Sequence, residues 1–147
     1  MNSSVCNKIR KLLAFTLFII IVGSLSYLAV YKLSFLPNGY DIILQQKDSI
    51  TVKSFNIIAG EKDTVTLSFS ENTLWKIEEI NYEVKRQKDF LWFLFTASSF
   101  SIFMLVLKLR KGEKFWSAAW GSRIVFATLF PLFILMNSLI RIKDFIS

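Results

Sequence analysis

Apolar positions along this chain fall into three long uncharged blocks, and between the first two the pattern changes period. Leu12–Tyr31, between Lys11 and Lys32, holds twenty residues without a charge. At helical rise that run covers roughly 30 Å, the thickness of a bilayer's hydrocarbon core. Phe90–Leu107 adds eighteen uncharged residues, and Ile124–Ile140 forms the third block. The pattern predicts three transmembrane helices. The first block follows a basic start, Lys8, Arg10 and Lys11, as a secretory signal peptide would. Its apolar run exceeds the roughly 7–15 residues of a signal core, and Tyr27, Tyr31 and Lys32 stand where small residues would mark cleavage. We read it as an uncleaved signal anchor.

Residues 32–89 are polar enough to sit in water, and here apolar side chains recur at every second position. Pro37-Asn38-Gly39 is a turn signal, followed by a short strand over Tyr40–Gln45 and a second turn at Gln46–Ser49. Ile50–Ala59 reads as a longer strand whose alternation changes phase. A bulge near Lys53-Ser54 would bring Ile50, Val52, Phe55 and Ile57 to one side. After a hairpin loop at Gly60–Asp63, Thr64–Ser70 alternates cleanly, with Val65, Leu67 and Phe69 on one face. The expectation is a three-stranded antiparallel meander with one apolar face. Residues 74–88 carry two overlapping patterns. Leu74, Ile77, Ile80 and Val84 fit a helical stripe, while Ile80, Tyr82 and Val84 alternate as in a strand. We expect a short fourth strand at Leu74–Ile80, then a helical run into the second span.

The resulting fold class is a membrane protein with three transmembrane α-helices and a small antiparallel β-sheet domain between the first and second, α+β overall. The segments are a basic tail (1–11), helix (12–31), β domain (32–89), helix (90–107), basic loop (108–123), helix (124–140) and a C-terminal tail (141–147). A sheet of about 45 residues buries too small a fraction of its surface to be comfortable alone. Val65, Leu67 and Phe69 were therefore the candidate interaction face, to be covered by a partner, the bilayer surface or the chain's own tail.

Small residues within the apolar blocks let helix backbones approach in lipid. Gly23 shares an arc with Thr16, Ser26 and Tyr27 on the first span. Ala97 and Ser101, with Ser98, lie opposite Trp92, Phe93, Phe100 and Phe103 on the second. The small face was assigned to helix contact and the aromatic face to lipid. On the third span Pro131 removes a backbone donor and predicts a kink. A stripe runs there through Trp116, Trp120, Arg123, Ala127, Pro131, Ile134, Ser138 and Arg141. It reads more simply as a packing face, with both arginines snorkelling to the interfaces, than as a substrate path.

Charge sets the orientation. With the N-terminus inside, segments 1–11 and 108–123 carry eight basic residues in 27 positions, against ten in 65 for 32–89 and 141–147. That asymmetry follows the positive-inside rule, although Lys85, Arg86 and Lys88 sit on the outer side. The net charge of +7 raises nucleic acid as a partner, but the basic residues flank apolar spans, where topology accounts for them, so no nucleic acid is expected. Histidine is absent and Cys6 is the single cysteine, so neither an internal disulfide nor the usual metal-ligand or general-base set exists. Cys6 reads as an incidental thiol rather than an acylation site. The glycines are scattered, no nucleophile elbow occurs, and adjacent Glu78 and Glu79 make a poor catalytic pair.

No catalytic residue, cofactor or metal was therefore expected. The leading expectation is a small non-enzymatic membrane protein, multi-pass in a bacterial inner membrane with a cytoplasmic N-terminus. It would act through a protein partner or as a homo-oligomer, with immunity to a pore-forming toxin as one candidate by class analogy alone. The alternative is an oligomerising subunit of a transporter or channel, with Arg123, Asn137 and Ser138 as its polar stripe.

Overall fold

In the computed structural model, which describes residues 3–147 (side chains from residue 5), the first apolar block forms helix α1, Ser3–Tyr27. Met1 and Asn2, the start of the expected basic tail, lie outside the described residues. A π-helical turn over Leu28–Lys32 continues α1, where Leu33 N–H bonds back to Leu28 O at 3.0 Å. Hydroxyls within the apolar helices meet their own backbone. Thr16 donates to Leu12 O, Ser24 to Ile20 O and Thr96 to Trp92 O, each four residues back. Such back-bonding is how a hydroxyl is accommodated where no water is available.

The chain then turns at Pro37-Asn38. Gly39 N–H donates to Leu36 O at 2.9 Å, and Asn38 takes a left-handed φ of 52°. Proline followed by a left-handed residue is the pattern of a type II turn. Three strands follow, β1 (Tyr40–Gln45), β2 (Ser49–Phe55) and β3 (Glu61–Ser68), antiparallel in the order β1-β2-β3. The register slips between Ser54 and Phe55, one step from the expected bulge. That slip turns Phe55 inward beside Ile50 and Val52, and all three are buried. Ile57 does not join them, because β2 stops at Phe55. Asn56 Oδ1 accepts the amides of Ile58 and Gly60 at 3.0 and 2.8 Å, closing the hairpin earlier than the glycine signal implied.

The expected fourth strand is instead helix. After a 3₁₀ turn at Glu71–Thr73, helix α2 runs unbroken from Trp75 to Arg110. Its 36 residues reach about 54 Å, well beyond the ~30 Å of a hydrocarbon core, so its first half projects past the apolar block. Helical period won over alternation because Ile77, Ile80 and Val84 have a surface to meet. They pack with Ile50 and Val52 of the sheet and Ile142. The basic segment 108–123 contains a short helix, α3 (Phe115–Gly121), and α4 spans Ile124–Ile146, so the expected C-terminal tail is its last turn and a half.

Three helices are thus long and apolar enough to cross a membrane, and a three-stranded antiparallel sheet lies between the first and second. Two clusters stack along α2. The outer one joins Ile50, Val52, Ile77, Ile80, Val84 and Ile142. The second joins Val30, Leu36, Phe55, Leu91 and Leu135, where the sheet meets the ends of the first two apolar blocks and the later part of the third.

Candidate functional site at the junction of sheet and helices

The sheet is held on α2 by polar ties as well as by its apolar face. Gln87 is 1% exposed, and its amide pairs with the backbone of Tyr40 in both directions. Oε1 accepts Tyr40 N–H at 2.9 Å and Nε2 donates to Tyr40 O at 3.0 Å. The approach is close enough that a Cβ on Gly39 would stand 2.9 Å from Gln87 Nε2 and from Leu36 Cβ. One residue on, Lys88 Nζ meets Asp41 Oδ1 at 2.5 Å, and Ser34 Oγ donates to the other oxygen of Asp41 at 2.8 Å. Tyr31 donates its phenol proton to Asp89, joining the end of α1 to the same helix. Burial raises the Tyr40 phenol above its ordinary range.

On the next face of α2, Glu83 is wholly buried. Its Oε1 receives Arg141 of α4 at 2.9 Å and Arg86 at 3.4 Å, while Oε2 has no partner. The hydrogen bond from Arg141, followed by Coulomb attraction, raises the guanidinium pKa against an opposing desolvation. Arg141 therefore does more than snorkel. It pins the protruding ends of α2 and α4 together. Beside it Trp75, Glu78, Glu79 and Tyr82 line a shallow depression of about 490 Å³. Trp75 is 55% and Tyr82 59% exposed, so two aromatic rings flank two carboxylates on an open helix face.

The residues expected to form the interaction face are distributed differently. Leu67 and Phe69 are half-buried and pack against the chain's own outer cluster, with Phe145 and Ile146 of α4 beside them. Of the three, Val65 is the one left exposed. Of the three covers the sequence allowed for this face, the chain's own C-terminal residues are the one seen here, joined by α2.

Gly23 lies against α2, where its carbonyl accepts Trp92 Nε1–H at 2.9 Å. A Cβ there would meet Thr96 Cγ2 at 3.9 Å, ordinary contact, so it is the carbonyl and not the missing side chain that matters. Ser101 is buried, Ala97 is half-buried, and α2 packs along α4 through this region. Pro131 is fully buried in a stripe with Leu135, Ser138 and Ile142. On the aromatic side of the second span, Phe93 stays 48% exposed, while Phe100 and Phe103 meet α1. Phe103 stacks on Phe18 at 4.2 Å, and Phe15 meets Phe100 and Phe103 edge-on. Trp116 and Trp120 stay exposed, apart from the packed stripe.

Sequence reasoning missed Glu83 and Gln87. Their one signal was position: each follows Ile80 at helical spacing, on the face that Ile77 and Val84 bury, so a helical reading of 74–88 would have placed both inside. No family model, curated protein or solved structure matches this chain.

Proposed function

We propose that this is a small, multi-pass, non-enzymatic protein of a bacterial inner membrane that binds another protein on the extracytoplasmic side. Its N-terminus is cytoplasmic, following the basic excess of 1–11 and 108–123. The observation that carries the reading is the open face of Trp75, Glu78, Glu79 and Tyr82 beside Arg141. Exposed Trp and Tyr flanking charge resemble the anchors of protein interfaces more than a solvated helix face. The face stands on a braced support, since the sheet and the Glu83–Arg141 pair hold the protruding helices in place. Two carboxylates between the rings suit a basic segment of the partner. A pore-forming toxin, to which this protein would confer immunity, is one partner class that fits a membrane-anchored binder.

A photo-crosslinking side chain at Trp75 or Tyr82, in the full chain in its native membrane, tests the reading. A discrete adduct with a second polypeptide is expected, with none from the same group at Thr66 on the far face of the sheet. Adducts from Thr66 alone, or from no position, would refute the assignment of the face. Adducts only with another copy of the chain would support the oligomeric transport subunit instead.

A further inference from the structure

The β2–β3 hairpin carries its most exposed apolar residues at its tip. Ile57 is 73% and Ile58 76% exposed, in a loop position where Gly, Asn, Asp and Ser are the usual occupants. They are not loosely placed. Asn56 Oδ1 holds the amides of Ile58 and Gly60, Asn56 N–H donates to Gly60 O at 2.8 Å, and Ala59 takes a left-handed φ of 59°. The loop is a fixed turn that directs two isoleucines away from the core.

The level of this tip follows from Phe55, the residue before the loop. Phe55 packs with Val30 and Leu91, at the ends of the first two apolar blocks, with Leu36 of the link, and with Leu135, about a turn and a half inside the third block. Asn38 N–H bonds to Asn56 O at 2.9 Å, tying the start of the loop to the link after α1. In that link Leu33 is 77% exposed, and the Phe35 ring lies 6.0 Å from Phe95, inside the second apolar block. From Ile50 to Phe55, β2 thus runs from the outer cluster down to the level where the apolar blocks begin, and the loop continues in that direction.

We infer that Ile57 and Ile58 insert into the outer-leaflet interface of the bilayer that the three helices cross, with Leu33 and Phe35 beside them. This rests on the spanning reading of those helices. The bilayer is the occupant that the geometry fits, because the tip is held at the level where lipid begins. Lys62 follows the tip within two residues of Gly60 and is exposed, placed for lipid phosphates. The hairpin then fixes the height and tilt of the sheet relative to the membrane, and with it the Trp75–Tyr82 face.

The test uses the full chain with Cys6→Ser, reconstituted in phosphatidylethanolamine–phosphatidylglycerol vesicles. Ile58→Cys, Phe133→Cys and Lys47→Cys are labelled singly with an environment-sensitive fluorophore and challenged with lipids spin-labelled at shallow or deep acyl positions. Phe133 is 67% exposed in the third apolar block, and Lys47 is exposed in the β1–β2 turn, at the end of the sheet away from Phe55. Ile58 should be quenched by the shallow label, Phe133 by the deep label and Lys47 by neither. Quenching at Phe133 with Ile58 as unquenched as Lys47 would overturn the hairpin inference and leave the spans intact. Quenching at neither Ile58 nor Phe133 would overturn both.

Discussion

Replacing Gln87 with Leu should loosen β1 from the helix that carries it. The substitution keeps most of the side-chain volume of a 1%-exposed residue and removes both hydrogen bonds to Tyr40. Tyr40 is half-buried, so its freed amide and carbonyl regain only part of their hydration. An unpaired buried polar group costs about 1–3 kcal/mol, and two partly shielded ones together should cost about 2 kcal/mol. If that cost falls on local opening of β1, amide exchange across Tyr40–Gln45 should accelerate by roughly 30-fold in detergent micelles. Exchange in the apolar part of α2 should not change, because nothing there depends on the tie. Gly39→Ala reaches the same contact from the other side, since its Cβ would stand 2.9 Å from Gln87 Nε2, and it should open the same amides. If Gln87→Leu leaves β1 exchange within about twofold of the parent chain, well under the cost of one unpaired group, the amide pairing does not hold the sheet.

Two further outcomes follow from the same geometry. Arg141→Met leaves Glu83 buried with only the 3.4 Å contact to Arg86, so the thermal midpoint should fall, and adding Glu83→Gln should restore part of the loss. A double variant no more stable than Arg141→Met would mean that the buried charge is not what Arg141 balances. In a Cys6→Ser background, a membrane-impermeant thiol reagent on intact cells should label Lys62→Cys and spare Gly112→Cys, and the reverse pattern would invert the orientation.

What could be read in the sequence divides along a physical line. The three apolar blocks and the three strands are local patterns, and each appears as the element its period implied, although β2 stops short at Phe55 and β3 covers Glu61–Ser68 rather than Thr64–Ser70. The register slip beside Phe55 was legible too, because a phase change in alternation has few other causes. Residues 74–80 were misread because Ile80 and Val84 satisfy both periods, and only a tertiary surface decides between them. Once Ile77, Ile80 and Val84 meet Ile50 and Val52, the helical face is the one buried. The end of β2 failed for a different reason. Asn56 closes the hairpin with its own side chain, a competition that apolar periodicity does not register.

That misreading also displaced the functional argument. Counted as a sheet of three or four strands, residues 32–89 look too small to bury their apolar face. Counted with the protruding half of α2 and the last turns of α4, the same strands have a lid, and Leu67 and Phe69 fall under it. A buried apolar residue that the chain covers by itself says nothing about partners. An exposed one that a fixed structure holds out does, and two such patches differ in their surroundings. Trp75 and Tyr82 stand on the outer helix face among carboxylates, where a polar protein surface can meet them. Ile57 and Ile58 stand at a hairpin tip beside the residues that pack Phe55 at the level of the apolar blocks. The chemistry of the two patches differs in the way that a protein partner differs from lipid, so substitutions should separate them. Glu78→Lys with Glu79→Lys should abolish crosslinking from Trp75 while the hairpin stays quenched by shallow spin label, if the two surfaces serve different partners.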